Sequence, residues 1–426
     1  MNNASTITTK PSSRGPAGKR RRQAAIPERL LADLWRKRAA RQAWFRTGGG
    51  ARMRVVYPGC AGHSAGPDFR NALLEVEGLG LVQGDVEIHL HQRDWDSHGH
   101  GKDPNYNGVV LHAALEVDAP VTSLQSGRQA PVVCLSTLLE DGSPNARPAP
   151  SLWTVLGGEG YRRPGTPRAL GKLLDRAGDR RFMLKSAGFQ TFLNEQGPDQ
   201  TLYEGILEGL GYRNNQQPFL KLATRASYAA LQRAARRAPE EGRAQALESW
   251  LVRLSGLSPT AGVPEKPLPR TGFGAPLSAG EWHCFRVRPT NHPRRRIGGA
   301  ARLLDRFIEE GLAAGLGRVA SAGSPRELTL ALEAGGEKAW IGRARARDLA
   351  VNVVLPFLHA LGSRPGGGPS SGDCLALYRR FGKLQENELT REMAGQLVDP
   401  AWGGVLTTAR RQQGLLHLHS LMGAAC

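Results

Sequence analysis

Five histidines, His89, His91, His98, His100 and His112, share the short stretch Gly66 to Asp118 with a run of carboxylates, residue types that bind cations and carry protons. Inside it, Asp85-Val86-Glu87-Ile88-His89-Leu90-His91 alternates polar and apolar residues. As a strand this puts Val86, Ile88 and Leu90 on one face and Asp85, Glu87, His89 and His91 on the other. Asp68 stands behind Gly66-Pro67, shortly before Leu73-Leu74-Glu75-Val76, which has strand character and is joined to the Asp85 strand by a Gly-containing turn. Antiparallel neighbours built this way bring Asp68 close to Glu87. Carboxylate oxygens of this kind suit Mg²⁺ or Mn²⁺. The imidazoles of His98 and His100, with His89 or His91, are the ligands Zn²⁺ prefers, although His-Gly-His also fits a plain turn.

Charge separates this stretch from the rest of the chain. Residues 66–118 carry ten acids against Arg70, Arg93 and Lys102, a net of −7, in a protein whose total is +19, so the remainder carries +26. An acidic pocket in a basic body is what binding a polyanion through divalent cations requires: carboxylates hold the metal, and Arg and Lys hold phosphates. A solvated acidic sheet face with the basic excess spread evenly is the other reading.

Gly66-Pro67-Asp68, then eighteen residues, then Glu87-Ile88-His89 resembles the signature of PD-(D/E)XK nucleases, with Pro-Asp and (Asp/Glu)-x-Lys on neighbouring strands. The resemblance implies a restriction-endonuclease-like mixed sheet with flanking helices, Asp68 and Glu87 as metal ligands, and an acid on the preceding helix, Glu28, as a third. Glu28 also serves as a favourable charge at a helix N-terminus. Where those enzymes carry the Lys that positions the attacking water, this chain carries His89, which can act as base or as ligand, or can mark a centre that has lost catalysis. The longer run from GPDFRNA through GDVEIH, with LYEGILEGLGYRNNQQPF, FRVRPTNHPRRR and ARRQQGLLHLH, resembles a bacterial family described as domain of unknown function 2851.

These residues need elements to hold them. The expected class is α+β: an α/β domain over 26–140, then a mainly helical C-terminal region. Pro27-Glu28 suits a first helical turn, and Leu30, Leu31, Leu34 and Trp35 recur at helical spacing. Strands are expected near Met53–Val56, Val109–Val117 and Ala130–Leu135, and Asp94–Asn107 reads as a polar loop or a short helix over the site, anchored by Trp95. Residues 1–25 read as a disordered basic tail and 141–168 as a linker. Helical spacing marks 169–256 and 300–426 as helical domains, the last helix carrying a polar face of Gln412, Gln413, His417 and His419. Between them, 257–299 reads as flexible, and its Arg286, Arg288, Arg294, Arg295 and Arg296, kept extended by Pro289 and Pro293, could clamp nucleic-acid phosphates ahead of a helix beginning near Ile297.

Composition excludes several classes. No stretch of roughly 18 apolar residues is present, so no membrane span is expected. The five cysteines are odd in number and show no CxxC pair, which points to a reducing, cytoplasmic setting. No secretory signal, Walker loop, dinucleotide fingerprint or GxSxG occurs. The sequence therefore predicts a metal-dependent nuclease, with two alternatives: a decayed nuclease core that binds nucleic acid or acts as a scaffold, and a zinc hydrolase using the His89–His100 cluster.

Overall fold

The computed structural model describes residues 28–424 apart from 42–43, 62–65, 140–152, 154–155, 157–161, 258–266, 270–271, 286, 336–338, 365 and 367. The expected tail and most of the expected linker lie outside the described residues. Helix α1 (Glu28–Arg38) is the first element of the described residues and buries Leu31 and Trp35, one turn apart, while Leu30 is exposed. Strands β1 (Phe45–Arg46), β2 (Arg52–Tyr57), β3 (Cys60–Ala61), β4 (Phe69–Val76) and β5 (Gly80–His91) follow. The short α2 (Asp94–Ser97) comes next, then β6 (Val109–Glu116), β7 (Val121–Ser123), β8 (Gln129–Cys134) and α3 (Ser136–Leu139).

The eight strands form one mixed sheet in the order β1-β2-β4-β5-β6-β8-β7, with β3 paired to β4. Its β5–β6 and β6–β8 pairs are parallel and the rest antiparallel. Parallel strands need covered faces, and both faces here are covered. Against one face α1 and α3 pack on Met53, Val55, Phe69, Val86, Ile88, Leu111 and Val133. On the other, β2 and β4 offer Val56, Tyr57 and Leu73 to C-terminal helices.

Those helices are α4 (Pro167–Gln196), α5 (Pro198–Leu210), α6 (Tyr212–Arg225), α7 (Tyr228–Ala235), α8 (Arg243–Ser255), α9 (Pro293–Phe307), α10 (Leu312–Ser321), α11 (Pro325–Leu332), α12 (Arg343–Leu349), α13 (Leu355–Leu361), α14 (Ser371–Arg379), α15 (Glu388–Leu397) and α16 (Ala409–Ala424). Local chemistry sets their ends. Thr166 Oγ1 accepts from the Ala169 amide ahead of Pro167 to start α4, and Gly197, at φ +82°, stops it. A π-helical turn, Ala350–Val354, links α12 to α13. The stretches 169–256 and 300–426, read above as separate domains, share one core reaching from Phe182 to Ala409, and Leu277, Trp282 and Ile297 of the intervening segment belong to it. No helix among the described residues is long and apolar enough to cross a membrane.

One expectation is corrected here. Helix α9 begins at Pro293, so Arg294, Arg295 and Arg296 form its first turn instead of an extended clamp; proline at the first helical position is pre-set for the helix. The polar residues Gln412, Gln413 and His417 of α16 are buried, which their bonds allow: Gln412 exchanges hydrogen bonds with the Leu384 backbone at 2.7 and 3.1 Å, and Arg181 donates to Gln413 at 3.0 Å.

α4 and α16 approach so closely that side chains are excluded. A Cβ on Gly178 would fall 2.1 Å from the Arg410 carbonyl oxygen, and one on Gly414 2.3 Å from that of Leu174. Gly178→Ala is therefore expected to destabilise the protein by about 1–3 kcal/mol; a urea midpoint equal to wild type would show that the helices separate without cost.

Candidate metal centre

Two bulges shape the site. The β4–β5 register skips a residue between Phe69↔Val86 and Ala72↔Gly84, with Asn71 held at φ +53° and its amide donating to Asp85 Oδ1 at 3.0 Å. The β5–β6 register skips another between Asp85↔Val109 and Val86↔Leu111. Bulges re-aim side chains, and these two flank the strand segment that carries the acids.

Asp68 and Glu87 meet. The Asp68 amide donates to Glu87 Oε2 at 2.8 Å, and the Ile88 amide donates to Asp68 Oδ2 at 3.1 Å, so each carboxylate is held by the other residue's strand. Glu87 Oε1 faces imidazoles: His100 Nε2 at 3.4 Å and His89 Nε2 at 3.7 Å. His98 Nδ1 lies 3.3 Å from His89 Nε2, and ligand atoms of His89, His98 and His100 all fall within 4.8 Å of one another. Glu87 and His89 are buried although they lie on the polar face of β5, because the loop after β5 closes over them. Trp95 and Tyr106 anchor that loop: Trp95 Nε1 donates to the Ser123 carbonyl at 3.1 Å, and Tyr106 stacks on His100 with centroids 4.0 Å apart. Exposed His98 leaves one side open to solvent.

Burial sets the protonation. It pushes His89 down to about 3, with His112, His100 and His98 adding to the effect, and pushes His112 down to about 4; His100 is lowered by burial and by His98. These rings are neutral at pH 7, with lone pairs free for a cation. Asp68 and Glu87 are both raised, by burial first, and then for Glu87 by the neighbouring Asp68 and for both by Glu28. A buried acid in contact with a half-buried one calls for a proton or a cation between them.

The donor set fits a metal. Four ligands at about 2.0–2.1 Å around a tetrahedral ion stand about 3.3 Å apart. Two of the separations match that figure, His98 Nδ1 to His89 Nε2 at 3.3 Å and Glu87 Oε1 to His100 Nε2 at 3.4 Å, and Glu87 Oε1 to His89 Nε2 is 3.7 Å. Three nitrogens and one oxygen suit Zn²⁺ better than Mg²⁺ or Mn²⁺, which prefer oxygen ligands. The placement thus brings Asp68, Glu87, His89, His98 and His100 together. Exposed Glu28 acts on both acids through its charge, while His91 turns to Glu116, its Nδ1 at 2.8 Å from Oε2.

His112 is the buried, hydrogen-bonded residue that its apolar strand implies, and Thr122 takes a part that sequence reasoning missed. His112 Nε2 is 2.9 Å from His89 Nδ1, and His112 Nδ1 is 2.8 Å from Thr122 Oγ1. If His89 donates to His112 and His112 to Thr122, the His89 Nε2 lone pair points at the centre; a bound cation selects this arrangement. The register Glu87↔His112 depends on the β6 bulge, which no local pattern announces. His112→Phe is expected to weaken cation affinity about 10- to 100-fold, measured by competition with a chromogenic chelator. Unchanged affinity would show that His89 needs no such partner.

The Arg residues stand apart from this centre. Arg286 lies outside the described residues; Arg288 is exposed, Arg294 and Arg295 are half-buried, and Arg296 is buried in the helical body. Comparison with known families places residues 28–257 within the family described as Protein of unknown function (DUF2851), and the chain belongs to that family. Neither the curated proteins nor the solved structures contain a match.

Proposed function

We propose that this family member is a metal-dependent hydrolase of phosphodiester bonds in nucleic acid. The observation that carries the reading is the contact of Asp68 with Glu87 beside the imidazoles of His89, His98 and His100. His89, His98, His100 and Glu87 would hold the cation. A divalent ion there would polarise a phosphoryl oxygen and acidify water. Asp68, bonded through one oxygen to the Ile88 amide and raised above the ordinary carboxylate range, is the group suited to take up the proton at neutral pH. The loop carrying Trp95 keeps bulk water from His89. The net charge of +19 favours a polyanionic substrate.

The experiment is cleavage of labelled DNA and RNA by the full chain, stripped with chelator and reloaded with Zn²⁺, Mn²⁺ or Mg²⁺. Cleavage restored by Mn²⁺ or Zn²⁺ and lost in Asp68→Asn supports the proposal. A second reading, a nucleic-acid binder or scaffold that has kept the core without the chemistry, is favoured by His89 standing where the resembled nucleases carry Lys. Oligonucleotide binding equal in wild type and Asp68→Asn, with no cutting in any metal, would replace the first reading with the second.

A further inference from the structure

The helical body holds a second polar site of different character. A cavity of about 1020 Å³ is lined by Arg181 and Lys185 of α4, Arg296 of α9 and Arg345 of α12, with exposed Arg288 and Arg343 also on its wall. These cations spend their N–H groups on neutral acceptors. Arg296, 5% exposed, donates to the Trp340 carbonyl at 3.2 Å and to Tyr212 Oη and Asn291 Oδ1 at 2.8 Å each, while its Nε has no partner. Arg181 donates to Gln413, and Lys185 donates to Asn352 Oδ1 at 2.6 Å. Arg345 donates to the Gly209 carbonyl at 3.2 Å, its Nε also without a partner.

Countercharge is scarce. Asp348 lies 3.9 Å from Arg345, Glu386 is taken by Lys383 at 2.6 Å, and Glu208 acts on Lys185 only through its field. Buried charge without a counterion is costly, so such a cluster calls for a partner outside the chain. Burial, with Arg181 nearby, pushes Lys185 down to about 7.

The backbone around the cavity is also unusual. Tyr212 is held at φ +50°, a conformation rare for a non-glycine residue, with the guanidinium of Arg345 3.3 Å and that of Arg296 5.3 Å from its ring centroid. The π turn after α12 carries Asn352, whose side-chain and backbone oxygens face Lys185. Arg296 stands in the first turn of α9, where the helix dipole repels a cation and attracts an anion.

We propose that this cavity binds a phosphate monoester of nucleotide size, carried by a free nucleotide or by the phosphorylated end of a nucleic-acid strand. Several cations converge on one dianion, guanidinium forks match phosphate oxygens, and the volume exceeds that of a bare oxyanion. The proposal does not rest on the metal reading, since no residue is shared with that centre.

The test is calorimetric titration of the full chain with inorganic phosphate, adenosine 5′-monophosphate, and one oligonucleotide with either a 5′-phosphate or a 5′-hydroxyl. Mononucleotide binding that weakens at least tenfold in Lys185→Met and in Arg345→Gln supports the site. Preference for the 5′-phosphorylated strand over its hydroxyl twin, lost in the same variants, assigns the strand end as the source. Lys185→Met removes a buried charge and should melt no lower than wild type; if it does not fold, Arg345→Gln carries the test. The metal content of both variants should equal wild type. No binding by any phosphorylated ligand, or equal binding by wild type and the folded variants, overturns the proposal.

Discussion

Glu87→Gln is expected to lower phosphodiester cleavage by about 10²- to 10³-fold or more and to remove most of the cation affinity, while the metal-free variant becomes more stable than wild type at neutral pH. Gln keeps an oxygen to accept from the Asp68 amide, so the strand geometry survives and the change is electrostatic. The sign of the stability effect follows from linkage. Both acids are raised in the folded protein above the ordinary values of 3.8 and 4.5. The native state then binds more protons than the unfolded chain, and stability falls as pH rises from that ordinary range through the raised values. Removing one acid relieves this loss, by about 1–3 kcal/mol. Urea unfolding in chelator across pH 4 to 9 measures it. A Gln variant less stable than wild type at pH 7, or one that keeps full cation affinity, would sink the assignment of Glu87.

The imidazoles contribute with the opposite sign. His89 and His112, lowered to about 3 and about 4 from 6.5, are neutral in the fold, and the unfolded chain takes up their protons first. Stability from these rings is present above pH 6.5 and is lost as pH falls toward those lowered values. Comparing Glu87→Gln with His112→Phe across pH separates the two trends.

Trp95→Ala is expected to cost about 3–5 kcal/mol, the range for truncating a fully buried Trp. Its ring is 1% exposed, lies 5.2 Å from His112, 5.6 Å from His100 and 5.7 Å from Tyr106 by centroid, and its indole N–H ties the loop to the Ser123 carbonyl. Without it, His98 and His100 lose the support that holds them over β5. Cation affinity should therefore fall together with stability, although Trp95 offers no ligand. Trp95→Phe retains most of the apolar area and should recover stability more fully than affinity, because the hydrogen bond is still missing. If Trp95→Ala binds the cation as wild type does, the loop is held by other contacts.

Much of the strand layout was legible because a period of two survives any tertiary context. Val86 and Ile88 had to share one face, and Asp85, Glu87 and His89 the other. Helical spacing likewise marked α1 and the helical character of 169–256 and 300–426. The start of α9 was missed because Pro293 was taken as an extender, whereas at the first helical position its fixed φ and missing N–H cost nothing. Gln412, Gln413 and His417 give α16 a polar face that lies buried, since polarity implies exposure only when no buried partner exists. Leu384 and Arg181, distant in sequence, supply those partners.

By itself the sequence determined the α+β class, the family, and the small group of acids and imidazoles from which a centre could be built, since each follows from residue type and short-range spacing. Only the tertiary structure decided which of them meet. The bulges in β4 and β6 are one-residue shifts set by pairing across strands; Glu87 there faces His89 and His100, while His91 meets Glu116. The cation-lined cavity was equally invisible, because Arg181, Arg296 and Arg345 come together only when α4, α9 and α12 pack around one core, and burial turns ordinary basic residues into charges with little countercharge.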